Sequence, residues 1–154
     1  MSVAKQLAKN LRDAHSGGNW TTVDLKTVLS DVSWEAAQKS VHSIHSIASL
    51  TVHMTYYVGV IITFLEEGKL TGKDELSWIL PPIKNQKDWE KFQDEAWKSA
   101  EKAANLIEQL EDYQLLEDFV DPKYGTNYRN IAGIVEHLYY HLGQIVLIKK
   151  LLVQ

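Results

Sequence analysis

The chain contains no cysteine, and this absence excludes several kinds of chemistry at once. Without thiols there is no disulfide, no thiolate metal ligand, no iron–sulfur cluster and no cysteine nucleophile. Any metal site must therefore be built from histidine and carboxylate side chains. Proline is also scarce: only Pro81, Pro82 and Pro122 occur, so long helices are permitted over most of the chain.

An excess of positive charge is missing as well. The chain has 16 Lys and Arg residues against 20 Asp and Glu residues, which gives a formal net charge of −4. Because affinity for the phosphate backbone depends on basic residues, we expect no nucleic-acid partner. The 154 residues, 45% hydrophobic and 23% charged, are typical of one globular domain that spans residues 1–154.

Two features bear on membranes. Lys5, Lys9 and Arg12 interrupt the apolar residues near the N-terminus, so we expect no signal peptide and a cytoplasmic location. The segment from Ser40 to Leu65 lacks Asp, Glu, Lys and Arg and could be taken for a membrane span. Its many histidine, serine and threonine side chains are unsuited to lipid. We therefore expect a helix buried in a protein core and no membrane association.

The spacing of apolar residues predicts four main helices. They run from a cap at Ser2 to about Ala14, from about Val41 to Glu66, from Asp88 to about Leu110, and from about Asn127 to Val153. Two short helical pieces, 22–29 and 33–39, connect the first two, and Asp31 or Ser33 caps the second piece. Residues 68–87 form a long loop of the kind that is often functional. The expected fold is all-α, a four-helix bundle with one long crossover loop.

The fourth predicted helix carries two histidines, His137 and His141, four residues apart. They lie about 40° apart around the helix and about 6 Å along its axis, so both imidazoles can reach one ion. The pair is half a metal site, although a buried histidine bonded to a neighbouring Ser or Tyr is a common alternative. Leu138 stands where a zincin would carry its catalytic Glu, and no Glu-x-x-His occurs anywhere, which disfavours a carboxylate-bridged di-iron bundle.

A third ligand must come from another helix, and the second main helix offers His42, His45 and His53. Their positions around and along that helix allow only one of them to join a given ion. The middle of the bundle favours His53. We expect His42, and also His15 beside the Gly pair, to be surface or packing residues.

These histidines lie in segments that resemble the DinB/YfiT-like superfamily of metal-dependent hydrolases and transferases. The similar segments are Ser43-Ile44-x-Ser46-Ile47-x-Ser49-Leu50-x-x-His53 and Gly133-Ile134-Val135-Glu136-His137-x-x-Tyr140-His141-x-Gly143-Gln144-Ile145. Gly17-Gly18-Asn19-Trp20 followed by a short helix is similar to the usual opening of the family. The resemblance covers nearly the whole chain, and the His-x-x-x-His-x-Gly-Gln segment is its most specific part.

The resemblance implies an up-down-down-up bundle in which His53, His137 and His141 bind one divalent ion, zinc or nickel. It also implies a homodimer. Members with assigned activities include transferases and isomerases that use low-molecular-weight thiols, so a small-molecule substrate and a thiol partner are expected. Three neutral imidazoles would leave coordination positions for water or substrate, which is typical of a catalytic rather than a structural site.

Other side chains are candidates for the surroundings of the ion. Gln144, Ser49 and Tyr57 are predicted to contact the metal ligands or to line the pocket, and Tyr56, Tyr140 and Trp78 could line a cavity. No carboxylate is an obvious general base, because Glu136 faces about 100° away from His137. Three classes stay open: a metal-dependent transferase or hydrolase, a module that binds metal and ligand without turnover, and a bundle whose histidines are only packed.

Overall fold

The computed structural model describes residues 2–42 and 44–152. The regular secondary structure of these residues is helical. Six α-helices follow in chain order: α1 (Val3–Ser16), α2 (Leu25–Leu29), α3 (Trp34–Gln38), α4 (Ile47–Glu67), α5 (Gln86–Glu108) and α6 (Asn127–Leu152). Short 3₁₀ helices lie at Asp74–Trp78, Gln114–Leu116 and Pro122–Tyr124. The described residues form no strand, only one isolated bridge between Asp118 and Thr126. The prediction of four main helices is confirmed.

Local hydrogen bonds explain where the helices begin and end. Ser2 caps α1 by accepting from the Lys5 N–H, and Ser33 caps α3 by accepting from the Ala36 N–H. Of the two caps considered for that short helix, Ser33 is therefore the one used. Gly68 ends α4 in the left-handed region, at φ 66°, where a residue without Cβ is favoured.

Two predicted boundaries are wrong. The second main helix begins at Ile47 rather than about Val41, because Ser46 is its N-cap and His42 has a left-handed φ of 52°. The third begins at Gln86 rather than Asp88, because Asn85 is the cap. Each segment contains several possible capping residues, and tertiary contacts select among them. The predicted helix end at Val153, and Ser43 of the motif, lie outside the described residues.

The four long helices pack as a closed ring, in which α1 and α4 each contact both α5 and α6. The core has two clusters: one includes Met54, Trp89 and Leu138, and the other includes Ile61, Ile107 and Ile131. The fully buried Trp89 donates from Nε1 to the Val32 carbonyl, 2.9 Å away, so its polar atom is satisfied. His53 and His137 directly adjoin Met54 and Leu138, so core packing holds the backbone that carries both histidines.

By length and composition alone, α4 and α6 could each cross a membrane. Core helices of soluble proteins have the same properties. In α4, 56% of the most apolar 18-residue stretch is buried inside the protein, and in α6 the corresponding share is 39%. The burial of α4 agrees with the predicted core helix, and the absence of membrane association stays a prediction.

Candidate metal centre

Three histidines from two helices converge at one point of the bundle. His53 comes from α4, and His137 and His141 come from successive turns of α6. The Nε2 atom of His137 lies 3.1 Å from Nε2 of His53 and 2.9 Å from Nε2 of His141. One ligand atom from each residue lies within 4.8 Å of the others. We call these three residues the histidine cluster.

Two neighbours set the tautomers of the cluster. The Ser77 hydroxyl donates its single proton to the Asp74 carbonyl, 2.6 Å away, so it accepts from Nδ1–H of His53 at 2.7 Å. Gln144 Oε1 accepts from Nδ1–H of His141 at 2.7 Å. In a neutral imidazole with a protonated Nδ1, Nε2 carries the lone pair. Both rings therefore present a lone pair to the centre of the cluster.

The spacing of the nitrogens fits a small cation. Tetrahedral zinc at about 2.1 Å from each nitrogen places neighbouring nitrogens about 3.4 Å apart. The two close Nε2 pairs, at 3.1 and 2.9 Å, are slightly tighter, and small ring rotations would accommodate an ion. Histidine ligands whose second nitrogen is hydrogen-bonded are also the usual arrangement in metal sites. The cluster could hold a metal ion.

Burial keeps His53 and His137 neutral. His53 is only 5% exposed, and burial, followed by the neighbouring His137 and His141, lowers its pKa to about 4. The pKa of His137 is also lowered, first by burial and then by His141. At pH 7 both rings are consequently neutral, which is the form that binds metal.

An aromatic side chain covers one side of the cluster. The Trp78 ring stacks on His53 with centroids 3.8 Å apart and also stacks on His45 at 4.2 Å. Tyr57 meets both His53 and His137 edge to face, each at 5.2 Å. These rings restrict the orientation of His53.

A carboxylate also lies near the cluster. Asp74 Oδ1 accepts from the Tyr57 hydroxyl at 2.7 Å. This bond is the main cause of the lowered pKa of Asp74, whereas burial, and next the same bond, raise the pKa of Tyr57 to about 12. At neutral pH the pair is thus an ionised carboxylate and a protonated phenol. Both side chains line the same cavity as His53 and His137.

That cavity has a volume of about 560 Å³, within the range of small-molecule sites. Its apolar wall comprises Val60, Ile61, Leu70, Phe119 and Ile134. The loop after α4 closes one side, and Gly72 is its contact point, since a Cβ there would lie 3.2 Å from a methyl group of Val60. Next to it, the Lys73 N–H donates to the Tyr56 hydroxyl at 2.7 Å. Close approach at Gly72 therefore helps to place Asp74.

The structure brings some predicted residues together and separates others. Gln144 bonds to His141, Tyr57 contacts the cluster, and Tyr140 is exposed with its ring 4.9 Å from that of His141. Ser49 lies one turn before His53, and its backbone N–H donates to Ser46.

The remaining histidines lie outside the cluster. His42 is exposed, whereas His15 is buried and packs edge to face against Trp97. The exposed His45 contacts Trp78 rather than the cluster.

Sequence reasoning missed Ser77 and Asp74. Both lie in the 3₁₀ helix Asp74–Trp78, inside the loop that length alone marked as functional. The only local signal was the polar Lys73-Asp74-Glu75 run beside Trp78. Nothing in that run indicates which side chain faces the histidines.

Comparisons of the chain with protein-family models, with curated proteins and with solved structures found no match. The established description is thus physical: a bundle of about four main helices that carries a largely buried cluster of His53, His137 and His141 able to hold a metal ion.

Proposed function

We propose that the histidine cluster binds one divalent metal ion, zinc or nickel, and that the protein is a metal-dependent enzyme acting on a small molecule. The observation that carries this proposal is the convergence of three Nε2 atoms, two of them with lone pairs directed by Ser77 and Gln144. A packing role alone requires no such convergence. The adjoining cavity gives a small molecule access to His53 and His137.

An ion held there supplies Lewis acidity, which polarises a carbonyl or lowers the pKa of a bound water or thiol. The chain contributes the surroundings. Trp78 and Tyr57 restrict His53, and Ser77 and Gln144 hold the two tautomers. Asp74 is an ionised hydrogen-bond acceptor in the cavity wall.

We expect the nucleophile to come from outside the chain, because the chain has no cysteine and no recognisable nucleophile triad. The resemblance to DinB/YfiT-like proteins favours a low-molecular-weight thiol, which makes a thiol-dependent S-transferase or isomerase the leading reaction class. Asp74 favours a second candidate, a hydrolase, since a carboxylate near a metal site can accept a proton from water.

Contacts between helices support the up-down-down-up topology of that family. Ala4 N–H donates to Asp112 and Arg12 pairs with Glu108, as expected for antiparallel α1 and α5. Glu66 near the end of α4 pairs with Lys102 in the second half of α5, as expected for parallel helices. A homodimer and a cytoplasmic location complete the proposal.

The first test is elemental analysis of protein purified without added metal. The wild type should contain about one divalent ion per chain, and His141→Ala should contain almost none while staying helical. His42→Asn is the matched control: it removes an exposed histidine outside the cluster, and asparagine tolerates the left-handed φ of 52° there. Equal metal content in His141→Ala and the wild type would refute the site.

The second test separates the reaction classes. A set of low-molecular-weight thiols is added to zinc-loaded protein and thermal unfolding is followed. A thiol that binds the native state raises Tm with concentration, and His141→Ala should show no such rise. Absence of protection by every thiol would remove the transferase proposal and leave the hydrolase and the non-catalytic binding bundle.

A further inference from the structure

The chain has only two arginines, Arg12 and Arg129, and they differ in their partners. Arg12 is half-buried, and its guanidinium bonds to Glu101, Asn105 and Glu108. Arg129 is exposed to solvent and also lines the cavity beside the histidine cluster. Among the described residues no carboxylate forms an ion pair with Arg129.

Two carboxylates line the same cavity. One is already hydrogen-bonded to another side chain, and the other lies far from Arg129 along the helix. Asp74 accepts from Tyr57, and Glu136 is seven residues from Arg129 on α6, about 10 Å along the axis. Asn130, next to Arg129, is held by its amide, which donates to the carbonyls of Tyr124 and Thr126. The cavity therefore has a cationic end at Arg129 that is separate from its histidine end.

The space between the two ends is open and partly lined by apolar side chains. Arg129 precedes His137 by eight residues, about 12 Å along α6. Gly133 lies halfway, and a Cβ added to it would meet nothing within 4 Å. On the facing helix, Val60 and Ile61 lie about two turns beyond His53 and line the same space. A ligand that reaches from one end to the other crosses hydrocarbon side chains.

We infer that this cavity binds a small organic acid whose carboxylate pairs with Arg129, whose apolar body lies along Gly133 and Val60, and whose reactive end meets the histidine cluster. Arginine suits this role because its guanidinium binds carboxylates through two parallel hydrogen bonds. The inference deepens the proposed function and rests on it for the identity of the reactive end. The anion site itself depends only on the cavity and Arg129.

The test compares hexanoate with hexanol, which share the apolar chain and differ in the charged group. Binding to zinc-loaded protein is followed by NMR titration, with metal content measured in every variant. Wild-type protein should bind hexanoate about tenfold more tightly than Arg129→Gln does, as expected for loss of a charge-assisted hydrogen bond at an accessible site. Hexanol should bind both proteins equally. Arg129→Lys should recover part of the hexanoate affinity.

Two further variants serve as controls. Arg12→Gln removes the other arginine and should leave hexanoate binding unchanged. Gly133→Leu should weaken binding of both hexanoate and hexanol, because its side chain occupies part of the space that opens beyond the Gly133 Cβ position. Equal hexanoate affinity in the wild type and Arg129→Gln, at equal metal content, overturns the inference.

Repeating the titration in His141→Ala separates this inference from the proposed function. Hexanoate binding that persists without metal and still depends on Arg129 supports the anion site. Binding that disappears with the metal and ignores Arg129→Gln shows the acid to be a metal ligand, which overturns the inference and leaves the metal site standing. If His141→Ala retains its metal, the proposed metal site is refuted. The comparison of hexanoate affinity between the wild type and Arg129→Gln then still tests the anion site by itself.

The carboxylate that pairs with Arg129 has two conceivable sources, the thiol itself and the second reactant. Saturating zinc-loaded protein with mercaptoethanol distinguishes them. Arg129-dependent hexanoate binding that continues under saturation assigns the carboxylate to the second reactant. Exclusion of hexanoate by mercaptoethanol assigns it to the molecule that carries the thiol.

Discussion

Two helix contacts of this bundle carry polar groups of opposite kinds. Between α1 and α5, Arg12 joins Glu101 and Glu108 at the solvent surface, so charge is matched by charge. Between α4 and α6, the histidine cluster is largely buried. The Nδ1 atoms of His53 and His141 bond to Ser77 and Gln144, and the Nε2 atoms of all three rings converge. The first contact is complete in itself. The second brings three ring nitrogens together at one point, which is what a cation site requires.

The largest expected effect comes from disturbing the outer bond of His53. Ser77→Ala removes the acceptor of His53 Nδ1–H, so the ring loses its tautomer preference and one of the contacts that orient it. Metal affinity should fall by about 10–100-fold, measured by competition with a chelator.

The control for this change is Ser30→Ala. Ser30 donates to the Thr27 carbonyl three residues earlier, as Ser77 does to Asp74, but it touches no histidine. Metal affinity in Ser30→Ala should match the wild type. A similar loss in both variants would indicate a general effect on the fold.

Acid should destabilise the metal-free protein through the α4–α6 contact. The folded pKa of His53 is about 4 and that of His137 is lowered, whereas unfolded histidine titrates near about 6.5. The unfolded state then binds more protons, so stability is complete above about pH 6.5 and falls as pH drops toward the folded values.

This pH dependence is measured by urea unfolding at a series of pH values. His137→Gln should flatten it, because one titrating group is removed and the charge that disfavours protonation of His53 is lost. Buried His15 also has a lowered pKa, and it contributes equally to the pH dependence of the wild type and of His137→Gln. An unchanged slope in His137→Gln would place the titration outside the cluster.

A smaller effect is expected from filling the open space beside the cluster. Gly133→Ala adds a methyl group that meets nothing within 4 Å, and alanine is the better helix former. The free energy of unfolding should rise by up to about 1 kcal/mol, measured in urea, with metal content unchanged. A decrease would mean that the cavity is narrower than the structure indicates.

The smallest effect is expected at the α1–α5 contact. Arg12→Ala removes an exposed network, and such pairs contribute less than about 1 kcal/mol to stability. Metal content should not change, and high salt should reduce the difference from the wild type. A loss of metal in this variant would show that the two contacts are coupled.

Much of the helical framework could be predicted from local patterns. The apolar periodicity of residues 127–152 and the capping role of Ser2 are set within a few neighbouring residues. The start of α4 was wrong by about six residues, because Ser46 and earlier polar residues compete as caps. Capping energies differ by only about 1 kcal/mol, so packing decides between them.

The sequence by itself determined that His137 and His141 share one face of a helix, because a separation of four residues is a property of helical geometry. Only the tertiary structure decided that His53 joins them, that Ser77 orients the His53 ring, and that Arg129 lines the cavity. Ser77 is 24 residues from His53, and His53 is 84 residues from His137. Contacts over such separations depend on helix packing and on the path of the loop after α4, and no local pattern encodes either.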